Sequence, residues 1–508
     1  MGNGSMGVGG IVIVFLYLTF LLLLGAFASR KIKSASDYIV AGKSMGFWLF
    51  VMLILGSTTS GMTLLGVSGL GYIGGWPTFW EQIFVPLTCA VAIIFYGYKL
   101  YGVCKKKDFL TLQDYLAYRF ESPKAVRAIS SFAVLITSLI YLVGQYTAIS
   151  IVLKWLLGIP QIQALLVGAI IVVIYVLLGG LYAVSWTTLF QGFIIVFGVL
   201  GIAPLVINAA GGFGAINSTM AGIDPNLVRL SFPQQHPPYA GYAFATPLFL
   251  VSFFFLLAMG LGSAPHIVNN SIAVKDRKYF KWAPLVVFVM YLAVMYLVKI
   301  SGMAVRTLVA SGAVVLEKPD DAFLAGVKYA LPHASWSLFA VVILAAVMST
   351  TDRLLLVIGS CCGWDFYKQI FRKNASGEKV TFISRIAVII FGLISFLLAI
   401  KPPVLLAWLI WMGIGVMLAT FVVPILFGLY WKRANRQGAI WSMVAGFSAA
   451  VIFGAYDKFV VKLPFHFSFL AFFISVFFMI VVSLLTKRPS GKLIEESKTG
   501  FFIREEGD

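Results

Sequence analysis

Ala346, Ser349 and Thr350 stand at i, i+3 and i+4, so a helix through them puts one carbonyl and two hydroxyls on one face. These are hard oxygen ligands, the kind that hard cations take. A second stretch could complete the shell: Gly56-Ser57-Thr58-Thr59-Ser60-Gly61, glycine-flanked hydroxyls inside a long apolar run. Irregular backbone at membrane depth survives mainly where it lines a cavity, and its freed carbonyls can coordinate an ion. On that reading Gly56 and Thr59, three apart, turn carbonyls to the cation while Ser57 and Thr58 face a solute. Two blander readings stay open. The glycines and hydroxyls could serve close helix packing, and Ser349 and Thr350 could bond back to their own helix.

Other polar residues sit at similar depth. Glu81 and Gln82 follow Trp76-Pro77-Thr78-Phe79-Trp80, and an acid near the bilayer is a functional candidate. Gln145 and Tyr146 interrupt another apolar run; an amide there serves either a substrate or an interhelical bond. Met259-Gly260-Leu261-Gly262-Ser263-Ala264-Pro265-His266 is a second glycine-rich interruption, making Ser263 and His266 candidates for the solute. Trp411 either caps the cavity or belongs to an aromatic belt. Arg353 needs a carboxylate or water inside a membrane. Asp352 points elsewhere on the helix, so a partner in the inner vestibule is expected, with Arg353 structural or gating.

The elements that must position these residues follow from composition. The chain has 508 residues, 60% hydrophobic and 11% charged, with mean hydropathy +0.97. That apolar content fits a polytopic membrane protein, all-α, since helices satisfy their own backbone in lipid. With about 20 apolar residues per crossing, thirteen helices are expected, near 8–28, 46–74, 77–102, 125–155, 162–182, 186–208, 241–266, 282–305, 336–364, 381–400, 404–430, 437–456 and 466–486. The net charge of +19 forms no basic domain that would bind nucleic acid. Most of the Lys and Arg fall in one set of loops, including Lys105 to Lys107, Lys275 to Lys281 and Lys432 to Arg436. The positive-inside rule places that set in the cytoplasm, which puts the N-terminus outside and the C-terminus inside. The four cysteines show no disulfide or metal spacing. The first apolar segment lacks a basic lead and a cleavage site and is expected to be retained. Residues 107–116 read as an interfacial helix, and Pro319 to Val327 as a short amphipathic one.

Setting the first helix aside leaves two groups of five, and an odd group size makes the second cross in the opposite direction, as in an inverted repeat. Each group opens with one interrupted segment, the best sequence pointer to a transport site. The expected layout is an extra helix and linker at 1–45, repeats at 46–208 and 241–431 around an outer loop at 209–240, two helices at 432–487, and a tail at 488–508.

Four motifs, in order, resemble the solute:sodium symporters over nearly the whole chain. They are Asp37-Tyr38-Ile39-Val40-Ala41-Gly42-Lys43-Ser44, Gly179-Gly180-Leu181-Tyr182-Ala183-Val184-Ser185-Trp186-Thr187, Ala345 to Asp352, and Pro424 to Asn435 with Gly438-Ala439. The resemblance implies a leucine-transporter-type fold with 5+5 inverted repeats, one helix before the core and two after. It also implies a sodium site on Gly56, Thr59, Ala346, Ser349 and Thr350, with the solute beside it at mid-membrane. The chain departs from the pattern in three places. Thr188 replaces an Asp that supports a further sodium, so one sodium per cycle is expected. Asn270 stands where many such proteins carry Arg after Pro-His, and Arg353 stands where they carry a small or amide residue.

The leading expectation is therefore a symporter that imports a small organic solute with sodium, the functional unit being a monomer in the lipid bilayer. A pantothenate-like monocarboxylate is preferred, because half-helix N-termini favour an anionic group and residues 266–276 resemble those of carboxylate transporters. The alternatives are an amino acid or sugar as solute, or proton coupling through His266, Glu81 or Asp352. No nucleophile–base set, metal quartet or phosphate loop suggests an enzyme or sensor, and nothing resembles a repeated channel filter.

Overall fold

The structure is a computed structural model that describes residues 8–30, 34–233, 245–401, 406–491 and 493. Over these residues it is a helical bundle with one isolated backbone bridge and no named strand. Its long helices are α1 (Val8–Ser29), α2 (Phe47–Thr58), α3 (Met62–Gly74), α4 (Trp76–Lys107), α5 (Ala125–Leu157), α6 (Gln161–Ile174), α7 (Ala183–Ala209) and α8 (Pro247–Ser263). They continue with α9 (Pro265–Ala273), α10 (Tyr279–Ala310), α11 (His333–Phe371), α12 (Gly377–Ala399), α13 (Ile410–Tyr430), α14 (Arg436–Phe459) and α15 (Ser468–Leu485). Ten are long and apolar enough to cross a bilayer, or twelve when each bent pair counts as one span. The expected crossing at 162–182 corresponds to α6, whose described apolar part is shorter than a span.

Both interruptions read from the sequence are real bends. α2 and α3 meet at 63°, and α8 and α9 at 53°. Pro265 opens α9 after Ala264 turns extended, because proline fits the first helical position and breaks whatever precedes it. The two bent pairs are stapled at one end: the Met45 N–H donates to the Ala273 carbonyl (3.0 Å) and the Lys275 N–H to the Met45 carbonyl (2.9 Å). Between α6 and α7 the chain breaks at Gly180, whose φ of 51° and ψ of −163° suit only glycine. A Cβ there would also run into the Tyr38 ring, which is what the double-glycine motif avoids.

The helix expected to lie in the interface at 107–116 is a buried element instead. It spans Leu112–Arg119, begins with a capping box between Thr111 and Asp114, and buries Leu112, Tyr115 and Leu116. Polar anchors draw it inward. Arg119 donates to the carbonyls of Gly428 (2.7 Å), Trp431 (2.9 Å) and Ala434 (3.0 Å), capping the C-terminus of α13. Arg127 of α5 bridges Asp114 (2.6 Å) and Asp365 of α11 (2.7 Å). The expected amphipathic helix forms as Ala322–Ala330 and buries Phe323, Leu324 and Val327. Gln234 to Pro238, Lys31, Lys33, Lys492, Lys498 and Arg504 lie outside the described residues. The four cysteines are free thiols, with Cys89, Cys104 and Cys361 buried.

α10 packs on α3 through small residues. A Cβ on Gly302 would overlap the Ser68 carbonyl, whereas one on Gly102 of α4 meets nothing within 4 Å. Overpacking of this kind displaces backbone against backbone. Gly302→Val is expected to lower the unfolding midpoint of the purified protein by roughly 5 °C or more, and Gly102→Val to leave it nearly unchanged. Equal midpoints in differential scanning fluorimetry would refute this packing account.

Candidate functional site

The break between α2 and α3 frees backbone groups that hydrocarbon cannot satisfy. Thr59 is extended (φ −79°, ψ 115°), and three neighbours answer the groups around it. The Tyr291 hydroxyl donates to the Thr58 carbonyl (2.8 Å), the Gly61 N–H donates to Oε1 of Gln145 (3.0 Å), and the Ser60 N–H donates to Oγ1 of Thr63 (3.1 Å). The carbonyls of Gly56 and Thr59 turn instead toward α11. Oγ of Ser349 lies 3.0 Å from the Gly56 carbonyl and 3.0 Å from the Ala346 carbonyl. Oγ1 of Thr350 lies 3.0 Å from the Gly56 carbonyl and 2.6 Å from the Thr59 carbonyl. All five oxygens named from the sequence thus converge on one buried point. The hydroxyls do not merely bond back to their own helix, and packing alone does not aim two carbonyls at them.

The residues expected to face a solute are near this point, but several are already engaged. Oγ1 of Thr58 donates to the carbonyls of Ile54 (3.0 Å) and Leu55 (2.9 Å). Oγ of Ser57 donates to the Leu53 carbonyl (2.6 Å) and accepts from the amide of Asn270 (3.0 Å). Oγ of Ser263 donates to the Gly260 carbonyl (2.8 Å). Gln145 acts as interhelical glue through Oε1, while its Nε2 has no hydrogen-bond partner. His266 is fully buried, its ring edge-on to Tyr141 at 5.6 Å and both ring nitrogens without a partner.

Beside the Asn270–Ser57 bond lies Arg353, one turn beyond Thr350 on α11. Its Nη2 donates to the side-chain oxygen of Asn270 and to the His266 carbonyl (3.3 Å). The partners expected in the inner vestibule are therefore an amide and a backbone carbonyl. Two of the departures from the family pattern, Asn270 and Arg353, thus meet, the guanidinium reaching Asn270 from α11. Asp352 interacts electrostatically with Arg353 itself and with Tyr17 of α1 and Tyr146 of α5.

On the other side of the break, Glu81 of α4 pairs with Lys299 of α10 (3.2 Å), and both side chains are about fully buried, at 1% and 0% exposure. Nζ of Lys299 also donates to the Thr78 hydroxyl (3.1 Å). The indole of Trp411 interacts with the Glu81 carboxylate and packs T-shaped on Phe253 at 4.6 Å. That makes Trp411 a fully buried part of this cluster, not a belt residue. The Gln82 amide nitrogen faces the carbonyls of Phe79 (2.9 Å) and Thr78 (3.3 Å), so it fastens the start of α4. Lys299 and Tyr291 were not singled out from the sequence. A lysine inside the apolar run of α10 was the available signal for the first; the tyrosine gave none.

Several known transporters resemble this chain over most of its length. The osmoregulated proline transporter OpuE of Bacillus subtilis is 26% identical over 497 residues, covering 94% of this chain and 95% of its own length. The sodium/pantothenate symporter of Haemophilus influenzae is 27% identical over 453 residues, covering 88% and 90%. The sodium/proline symporter of Escherichia coli is 27% identical over 496 residues, covering 94% and 93%. The solved structure of a Na+-coupled sialic acid symporter, substrate-bound and outward-open, superposes with a TM-score of 0.77 at 19% identity over 95% of this chain and 99% of its own. That superposition establishes the leucine-transporter-type fold. Residues 38–446 match the sodium:solute symporter family, so this chain belongs to that family: it is a multi-pass membrane symporter that moves a solute together with sodium.

Proposed function

We propose that the chain imports a small organic monocarboxylate, of the size and chemistry of pantothenate, with one sodium ion per cycle. The observation that carries the ion site is the convergence of the Ser349 and Thr350 hydroxyls on the Gly56 and Thr59 carbonyls. With the Ala346 carbonyl this makes five hard oxygens, a shell that suits sodium once the hydroxyl hydrogens rotate outward. A single ion is inferred from Thr188, whose methyl group packs against Gly56 and which offers no carboxylate to a second ion. Bound sodium draws α11 against the α2–α3 break. Because it binds that arrangement better than an open one, it shifts the population toward it.

The solute lies beside this shell at mid-membrane, near Gln145 and Ser263. The carboxylate preference is supported by the open guanidinium donors of Arg353 near the break, taken up below. The same basic loops that set the expected orientation place the N-terminus outside and the C-terminus in the cytoplasm. A monomer contains every residue the site requires.

Two measurements test the reading. In thermal unfolding of the purified protein, sodium should raise the midpoint saturably and potassium should not. Ser349→Ala and Thr350→Ala should each raise the half-saturating sodium concentration about tenfold or more, as expected for losing one ion ligand; Thr350→Ser should stay close to wild type. Unchanged sodium titrations in both alanine variants would remove these residues from the ion site. In proteoliposomes, an inward sodium gradient should drive uptake of labelled pantothenate well above L-proline or glucose. Uptake driven by a proton gradient without sodium would replace this reading with proton coupling.

A further inference from the structure

Arg353 is the fully buried charge that the sodium shell does not use. It is 1% exposed, and only Nη2 is engaged, with two neutral oxygens, those of Asn270 and His266. Nε and Nη1 have no hydrogen-bond partner among the described residues, and neither do Nδ1 and Nε2 of His266. Neutral oxygens orient a guanidinium without cancelling its charge. The adjacent Asp352 attracts the guanidinium but leaves those donors open, and a buried charge with open donors in a bilayer costs several kcal/mol on the usual scales; such residues persist on substrate or ion pathways. The Thr350 hydroxyl is one helical turn away, so sodium arriving there adds a second positive charge to the same region. An anion seated on the open guanidinium donors would offset the added charge.

We propose that Arg353, His266 and Asn270 form a subsite for the carboxylate of a small organic anion. It rests on the proposed solute class and gives that class its recognition group. A guanidinium is suited to it, since its planar donors match a carboxylate better than an ammonium does. Nε or Nη1 of Arg353 and one ring N–H of His266 supply the donors. Asn270, held by Ser57 at 3.0 Å, fixes the guanidinium from α9 and links the subsite to the residue next to Gly56. Anion and cation then sit on adjacent turns of α11, each favouring the other.

The test uses the purified full-length chain and thermal unfolding at constant sodium, with sodium sulfate exchanged for sodium formate, acetate, pyruvate, pantothenate or chloride. At least one of the small carboxylates should raise the midpoint saturably. Arg353→Gln should abolish that response while leaving half-saturation by sodium within about threefold, and Arg353→Lys should weaken it tenfold or more. A purely structural role for Arg353 predicts the reverse pattern: a lower starting midpoint in Arg353→Gln with the carboxylate shift intact. That result, or no saturable carboxylate response in the wild type, overturns the proposal. A response to chloride alone also overturns it and assigns the guanidinium to a halide. Should Arg353→Gln fail to fold, Arg353→Lys and Asn270→Ala carry the test, and unaltered carboxylate titrations in both refute it. Loss of the sodium response with the carboxylate response retained would instead count against the ion site alone.

Discussion

A helix broken in mid-bilayer leaves N–H and carbonyl groups that no solvent can reach, and each unsatisfied group costs several kcal/mol. The organisation of this protein follows from meeting that demand between Gly56 and Gly61. Gln145 brings α5 to the Gly61 N–H, Tyr291 brings α10 to the Thr58 carbonyl, and Ser349 with Thr350 brings α11 to Gly56 and Thr59. Three helices are thus fixed around one interruption by complementary polar groups. A straight helix at this position would need none of them, and would offer nothing to an ion.

The charged groups divide on either side of the break. Glu81 and Lys299 compensate each other completely within the membrane region, at the cost of desolvating both. Removing one partner alone would strand a buried charge, so the pair locks α4 to α10 whatever else it contacts. Arg353 is held by neutral oxygens of Asn270 and His266 beside the charge of Asp352, and its Nε and Nη1 stay without hydrogen-bond partners among the described residues. The asymmetry is informative, because the same interior that pairs one cation internally leaves the other oriented and chemically available. Near the ends of α5 and α11, Arg127 is in turn shared by Asp114 and Asp365, so a third cation is fully matched.

Much of the oxygen cluster between α11 and the break was legible in the sequence because its geometry is local. The i, i+3, i+4 spacing fixes a helical face, and a glycine-flanked polar patch marks a break, so neither needs knowledge of distant contacts. The bend at Ala264 was legible for the same reason, through Pro265. Contacts between remote segments were less accessible. Lys299 lies 218 residues from Glu81, and no periodicity relates them. Thr58 and Ser263 read as solute-facing because hydroxyls in apolar helices are conspicuous, yet in lipid the nearest acceptor is their own backbone, and they take it. The Leu112–Arg119 helix has an amphipathic pattern that fits an interface equally well. Its burial is decided by Arg119 and Asp114 finding partners on α13 and α5.

The seams around the break differ in kind, and that difference bears on how a symporter of this fold can work. α2 is joined to α9 by backbone hydrogen bonds through Met45 and by the Asn270–Ser57 bond, contacts that no ligand replaces. α11 meets the break through hydroxyls of Ser349 and Thr350, contacts that a cation can replace and strengthen. Under the proposed role, the two bent pairs therefore move together, and the seam with α11 is the one that opens when the ion leaves. Arg353 spans that same seam, from α11 to Asn270 on α9, so its anion and the sodium act on one interface from adjacent turns. Coupling between ion and solute then requires no relay through the bundle: both ligands stabilise the closed form of a single helix contact.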